Sequence, residues 1–177
     1  MPNRDRTVRK LAGEELFQYG AKLLGGRALS SAELRTKLVR KAADPQAVDS
    51  IMERLREYGF VDDSRFAESF ASARRESGSF GQMRVLRDLR GRRVAGSVAR
   101  EAVDRAYEEF DERAAVHAWL ERKYRGVNLT AWLQEEKHLA SAFRKLRYAG
   151  FSSSSAIGAL KNYAARADEL EDEPSDG

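Results

Sequence analysis

The residues most able to do chemistry in this chain are guanidiniums. Between positions 84 and 100 stand Arg84, Arg87, Arg90, Arg92, Arg93 and Arg100, opposed by a single acid, Asp88. A second cationic group, Arg144, Lys145 and Arg147, lies beside Tyr148. Arginine forks pair bidentately with phosphates or carboxylates, so both groups suit a nucleic-acid backbone or an acidic protein surface. Attraction by charge, rather than bond-making, is the chemistry they offer.

Other chemical candidates do not assemble into a reaction. His117 and His138 sit on separate expected helices with no His or Cys at ligand spacing, so no metal site is expected. The chain has no cysteine, which removes disulfides, thiolate ligands and thiol nucleophiles together and fits a reducing compartment. Gly78-Ser79-Phe80-Gly81 could present amides to a phosphate, but without a following Gly-Lys-Ser/Thr it reads as a tight turn between helices. Adjacent carboxylates at Asp62 and Asp63 are accounted for by helix capping. The expectation is a protein that is not an enzyme and has no cofactor.

Charge along the chain agrees with a binding role. The net charge is +4, yet residues 168–177 hold six acids and no base, so residues 1–167 carry +10. A basic body with an acidic tail outlines something that meets nucleic acid or an acidic protein. The first six residues lack the apolar core of a signal peptide, and no run approaches the roughly 18 apolar residues of a membrane span. A cytoplasmic protein without membrane contact is the expectation.

The elements that must position these groups read as helices throughout, with apolar residues recurring every three or four positions. Leu16, Tyr19 and Leu23 mark a first helix ended by Gly25-Gly26. Ser30 and Glu33 form a capping box ahead of Leu34 and Leu38. Asp44-Pro45 opens a helix bearing Val48, Ile51, Met52 and Leu55, which Gly59 closes. Asp62 or Asp63 caps the next, with Phe66 and Phe70 on a face widened by Ala67 and Ala73.

Met83, Leu86 and Leu89 are expected to line a buried face, with Arg84 and Arg87 opposite, Arg90 at its edge and Arg92 and Arg93 beyond a closing Gly91. Ser97 can cap a helix that either runs on through Val116, Trp119 and Leu120 or restarts with Asp111 as a new cap, a break near 111 being preferred. Asn128 or Thr130 opens one helix running through Leu139, Phe143 and Leu146 to Gly150, and Ser152–Ser155 cap a last one.

The pattern makes an all-α chain of three three-helix modules, 11–58, 62–110 and 111–167, after a basic extension (1–10) and before a disordered acidic tail (168–177). Core leucines at 38, 89 and 146 give the recurrence. Units of this size share a core by stacking, which implies an elongated, curved body.

Four motifs in order resemble the RecX regulatory family, over residues 15–161. They are Arg27 with Ser30-x-x-Glu33-Leu34-x-x-Lys37-Leu38, Gly59-Phe60-Val61-Asp62-Asp63-Ser64-Arg65-Phe66-Ala67, Gly81-x-x-Arg84-x-x-x-x-Leu89, and Leu146-x-x-x-Gly150-Phe151-Ser152. The chain departs from the family where a lysine-glycine is usual and Arg92-Arg93-Val94 stands. The resemblance implies a tandem of three-helix modules that binds in the groove of the RecA–DNA filament. It implies restraint of filament growth, ATP hydrolysis, strand exchange and coprotease activity, without an active site.

On this reading the nine basic residues named first are the filament or phosphate contacts. Ser30, Glu33, Asp44, Gly59, Asp62, Asp63, Gly81 and Gly150 are structural caps and turns. The protein is expected to be a monomer with weak nonspecific affinity for single- or double-stranded DNA. The alternatives are a helix-turn-helix DNA-binding protein, for which Val98–Ala102 offers few base-reading side chains, or a helical adaptor for another acidic protein.

Overall fold

Apolar spacing and helix caps together set where each helix begins and ends. A computed structural model describes residues 9–172; the expected N-terminal extension before residue 9 and the acidic tail beyond 172 lie outside the described residues. Among the described residues ten α-helices follow one another: α1 (Gly13–Gly26), α2 (Ser31–Lys41), α3 (Val48–Glu57), α4 (Asp63–Glu76) and α5 (Gln82–Gly91), then α6 (Gly96–Tyr107), α7 (Glu112–Lys123), α8 (Leu129–Trp132), α9 (Glu136–Tyr148) and α10 (Ser153–Leu160). Short 3-10 segments precede α3 and follow α10. No β-strand is present among the described residues, and the protein is all-α. No helix among them is long and apolar enough to cross a membrane.

Two compact units divide the described residues: unit 1 is residues 9–67 with 89–99, and unit 2 is residues 68–88 with 100–172. In unit 1, α1, α2 and α3 bury Leu16, Phe17, Leu34, Leu38, Val48, Ile51, Met52 and Leu55 in one cluster. Each such side chain withdrawn from water contributes about 1.5–3 kcal/mol. Gly20 lets α1 come close to the other two helices, because a Cβ there would stand 2.9 Å from a Leu55 methyl. Unit 2 has its own cluster, with Val116, Leu120, Leu139, Phe143, Leu146, Phe151, Ile157 and Leu160 at its centre.

Caps account for most boundaries. The Ser30–Glu33 capping box forms, with both reciprocal bonds present. Asp44 accepts from the Gln46 amide at the turn before α3. Asp111 starts α7 by accepting from the Ala114 amide, which sets the break after α6. Ser152 caps α10. At Asp62-Asp63 the work is divided: Asp62 accepts from the Arg65 amide and caps α4, while Asp63 accepts from both the amide and the hydroxyl of Ser31.

Several sequence expectations are corrected. Met83 is largely exposed, and α5 instead buries Val85 and Leu89, an i, i+4 pair that a stripe of Met83, Leu86 and Leu89 overlooks. On α4 it is Ala71, not Ala73, that is buried with Ala67, again because it lies four residues on. Ser97 does not cap α6, which already begins at Gly96 with the Ala99 amide bonded to the Ala95 carbonyl. The segment from Asn128 to Gly150 is two helices, since Asn128 caps only the single turn of α8 before the chain restarts at Glu136. Residues 165–172 form a 3-10 segment that buries Ala167 and Leu170, so the acidic stretch begins inside a helix-like turn held by its two apolar residues.

One turn geometry ends three helices. At α3, Gly59 N–H donates to the Arg56 carbonyl and Phe60 N–H to the Leu55 carbonyl; at α9, Gly150 and Phe151 do the same to Arg147 and Leu146. At α5 the equivalent donors are Arg93, to Arg90 at 2.8 Å, and Val94, to Leu89 at 3.2 Å. Each is a Schellman closure, whose central residue must be left-handed: φ is +71° at Gly59, +91° at Gly150 and +60° at Arg93. Gly91, the expected terminator of α5, is not among the left-handed residues. A side chain in this conformation costs roughly 1–2 kcal/mol, partly offset by the entropy glycine loses on folding. Arg93→Gly should therefore raise stability by roughly 0.5–1 kcal/mol, read as an upward shift of a few degrees in the melting temperature.

Candidate functional site

Each unit carries a cationic recess, and the two differ in what lies beneath the charge. On unit 1, Arg27, Lys37, Arg40, Arg92 and Arg93 surround a shallow recess of about 330 Å³ with Glu33 as its one acid. Its frame is the start of α2. The buried Ser30 hydroxyl accepts from the Glu33 amide at 3.2 Å and donates to the Arg92 carbonyl at 2.6 Å. The Glu33 carboxylate accepts from the Ser30 amide and pairs with the Arg92 guanidinium at 3.2 Å. A cap formed for local reasons thereby fixes the backbone from which Arg93 projects.

On unit 2 the recess is wider, about 690 Å³, and its floor is aromatic. Phe80, Trp119 and Tyr148 line it together with Arg84, Lys123, Arg144 and Lys145, and no carboxylate does. The Arg84 guanidinium lies 5.0 Å from the Tyr148 ring centre and 5.8 Å from that of Phe80. Asp88, one turn on, pairs with Arg84 at 2.8 Å and is the main reason its guanidinium holds its proton more firmly than usual. Arg87 donates to the Tyr148 carbonyl at 2.9 Å and places its own guanidinium 5.4 Å from the same ring. Such contacts stabilise by cation–π attraction, on the order of 0.5–1 kcal/mol where exposed.

Two glycines make this arrangement possible. Gly81 N–H donates to the Ala149 carbonyl at 3.0 Å and Met83 N–H to the Gly150 carbonyl at 3.2 Å, so the first turn of α5 abuts the end of α9. A Cβ on Gly81 would stand 2.2 Å from the Gly150 oxygen, and one on Gly150 2.2 Å from the Arg84 nitrogen. The Gly78–Gly81 stretch is a turn between helices, clamped by Arg122 on the Gly78 carbonyl and by the Tyr107 hydroxyl donating to the Phe80 carbonyl.

The remaining sequence candidates fall as follows. Arg84 and Arg92 are half-buried and engaged in ion pairs, not free on an outer face as expected, because Asp88 and Glu33 stand one helical turn and one helix away. Arg147 donates to the Phe151 carbonyl at 2.6 Å and reinforces the end of α9. Arg87, Arg90, Arg93, Arg100, Arg144 and Lys145 are exposed. His138 stacks on Trp132 at 4.2 Å and His117 meets the Asn162 amide, both packing roles. No cluster of His, Cys, Asp or Glu among the described residues could hold a metal. Sequence reasoning did not single out Arg40, Lys123, Phe80 or Trp119 for a site; the i, i+3 placement of Lys37 and Arg40 on α2 was the available signal.

The fold and these recesses define an all-helical protein whose distinctive surface chemistry is cationic. Residues 17–55 match the family model for the RecX first three-helix domain, and residues 62–103 that for the RecX second three-helix domain. The chain is 35% identical over 158 residues to the regulatory protein RecX of Halorhodospira halophila, covering 89% of this chain and 91% of the relative. It is 31% identical over 140 residues to that of Syntrophotalea carbinolica, covering 79% and 90%. A crystal structure of regulatory protein RecX shares the fold, with a TM-score of 0.64 over 84% of this chain and 71% of that one at 19% identity. The chain belongs to the RecX family of regulatory proteins.

Two outcomes follow from the Gly81 crossing and its turn. Gly81→Ala should destabilise by more than about 2 kcal/mol in urea melts, since the clash is with backbone that cannot yield cheaply. Burial pushes the Tyr107 hydroxyl up to about 12. An unfolded tyrosine ionises near 10, so its contribution is whole below about pH 10 and is lost as the pH rises through about 12. Tyr107→Phe should cost about 1 kcal/mol at neutral pH, and the parent's advantage over it should shrink between pH 10 and 12.

Proposed function

We propose that this chain is a non-enzymatic, monomeric, cytoplasmic regulator of RecA nucleoprotein filaments. The observation that carries the reading is the open recess on unit 2, where four cations surround an aromatic floor, no carboxylate lines it, and only Arg84 of the four is held by an acid, Asp88. Interface cores are enriched in aromatic residues and arginine, and a complementary acidic surface is the partner that such a recess attracts. Membership of a family of regulatory proteins supports a regulatory rather than a chemical role. The RecA filament is the target that the motif resemblance implies.

Regulation by such a protein needs no active site. A ligand that binds one assembly state better than another shifts the population toward it, by as much as the difference in affinity. Contacts from Arg84, Arg87, Arg144 and Lys145 to the filament would in this way restrain its growth, and with it ATP hydrolysis, strand exchange and coprotease activity. Arg90, Arg92, Arg93 and Arg100 supply further positive potential that draws the protein toward a polymeric anion.

RecA's DNA-dependent ATPase, followed with and without this protein at substoichiometric ratios, tests the reading. Inhibition by the parent is the expected result; an ATPase unaffected at all ratios would overturn it. A Lys123→Glu/Arg144→Glu/Lys145→Glu variant that keeps the parent's helical circular-dichroism spectrum should need roughly tenfold more protein for equal inhibition. Unchanged potency would remove the unit 2 recess from the mechanism.

A further inference from the structure

The acids near the end of the chain divide into two sets. Asp168 and Glu169 are engaged locally, Asp168 with Lys161 and Glu169 with Arg166 at 3.2 Å. With Ala167 and Leu170 buried, these pairs seat residues 165–170 on the core of unit 2. Glu171, Asp172, Glu173 and Asp176 come after that anchor, and residues 171–177 contain no base.

The place where the anchor ends is informative. Leu170 shares a small cavity, about 80 Å³, with Leu139 and Ala140 of α9. Ala140 and Arg144 lie one helical turn apart on the same face, and Arg144 lines the aromatic recess with Ser141, Lys145 and Tyr148. One turn advances about 5.4 Å, whereas seven extended residues span up to roughly 23 Å, so acids beyond Leu170 can reach the recess. There Lys123, Arg144 and Lys145 make no ion pair among the described residues.

We propose that residues 171–177 dock on the unit 2 recess of their own chain, carboxylates against Lys123, Arg144 and Lys145, and hold it closed to weakly anionic partners. Single exposed ion pairs are weak, but a tether of a few residues gives an effective concentration on the order of millimolar. The segment therefore fills the recess until a partner displaces it with more charge or with an apolar anchor for Phe80, Trp119 and Tyr148. Docking does not depend on the RecA reading; its regulatory meaning does, so the test omits RecA.

The chain has no cysteine, so Ser175→Cys takes a single nitroxide label. At low salt the label should broaden the backbone amide signals of Ser141, Arg144, Lys145 and Tyr148. The signals should recover near 1 M salt, where the screening length falls to about 3 Å. They should also recover in Lys123→Glu/Arg144→Glu/Lys145→Glu with the parent's helical circular-dichroism spectrum. A second measurement follows binding of fluorescein-labelled poly-L-glutamate. A recess free for roughly a third to a tenth of the time weakens apparent affinity by that factor. Glu171→Gln/Asp172→Asn/Glu173→Gln/Asp176→Asn should accordingly bind about three- to tenfold more tightly than the parent. Neutralising Glu57, Asp104, Glu108 and Glu109, four exposed carboxylates elsewhere, adds the same net charge and should change affinity much less.

Three results would overturn the proposal: broadening that persists at high salt or in the charge-reversed recess, equal gains in affinity from the two sets of neutralised acids, or parental affinity in the tail variant. Broadening passed from a labelled chain to an unlabelled one would give the recess to the tail of a second copy instead.

Discussion

At the junction of α5 with α9 two backbones meet with no space for a Cβ between them, and the unit 2 surface depends on that approach. Gly81 and Gly150 exchange main-chain hydrogen bonds with each other's flanking residues. The contact fixes α5 in both translation and rotation against the end of α9. Arg84 and Arg87, three and six residues beyond Gly81, are carried to the same tyrosine ring as a consequence of helical geometry. A charge pattern visible as a string of arginines becomes a shaped surface only because two glycines exclude everything else from the crossing.

The helix frame was legible in the sequence where caps announce themselves. Ser30 with Glu33, Asp44 with Pro45, Asp111 and Ser152 make capping hydrogen bonds that are local, so reading those caps requires no tertiary information. The buried face of α5 was not legible. Met83 and Val85 are both apolar, and which one turns inward is decided by where the glycine crossing sets the helix, a contact 69 residues away in sequence. The split between α8 and α9 escaped for a similar reason: Asn128 signals a start, but the end of that turn depends on packing around Leu129 and Leu133.

The candidate site was legible as composition and not as geometry. The arginines were visible, but Arg84 and Arg92 are half-buried in ion pairs; the i, i+4 spacing of Arg84 and Asp88 could have announced the first pair, whereas no spacing announces the second. Glu33 shows the difficulty: its capping role is local and was expected, while its bond to Arg92 spans 59 positions. The aromatic floor beneath Arg144 and Lys145 draws on three separate helices or turns, so no window of sequence contains it.

Tyr148 has one further consequence for recognition. The residue is 68% exposed, yet two guanidiniums lie against its ring and its own carbonyl is tied to one of them. An exposed aromatic residue ordinarily surrenders rotational freedom when something docks on it, at about 0.5–1.5 kcal/mol for each side chain immobilised. Here that ordering precedes any encounter. Tyr148 therefore offers a partner a rigid anvil, and the rate at which a complex falls apart should be governed by contacts made rather than by motion regained.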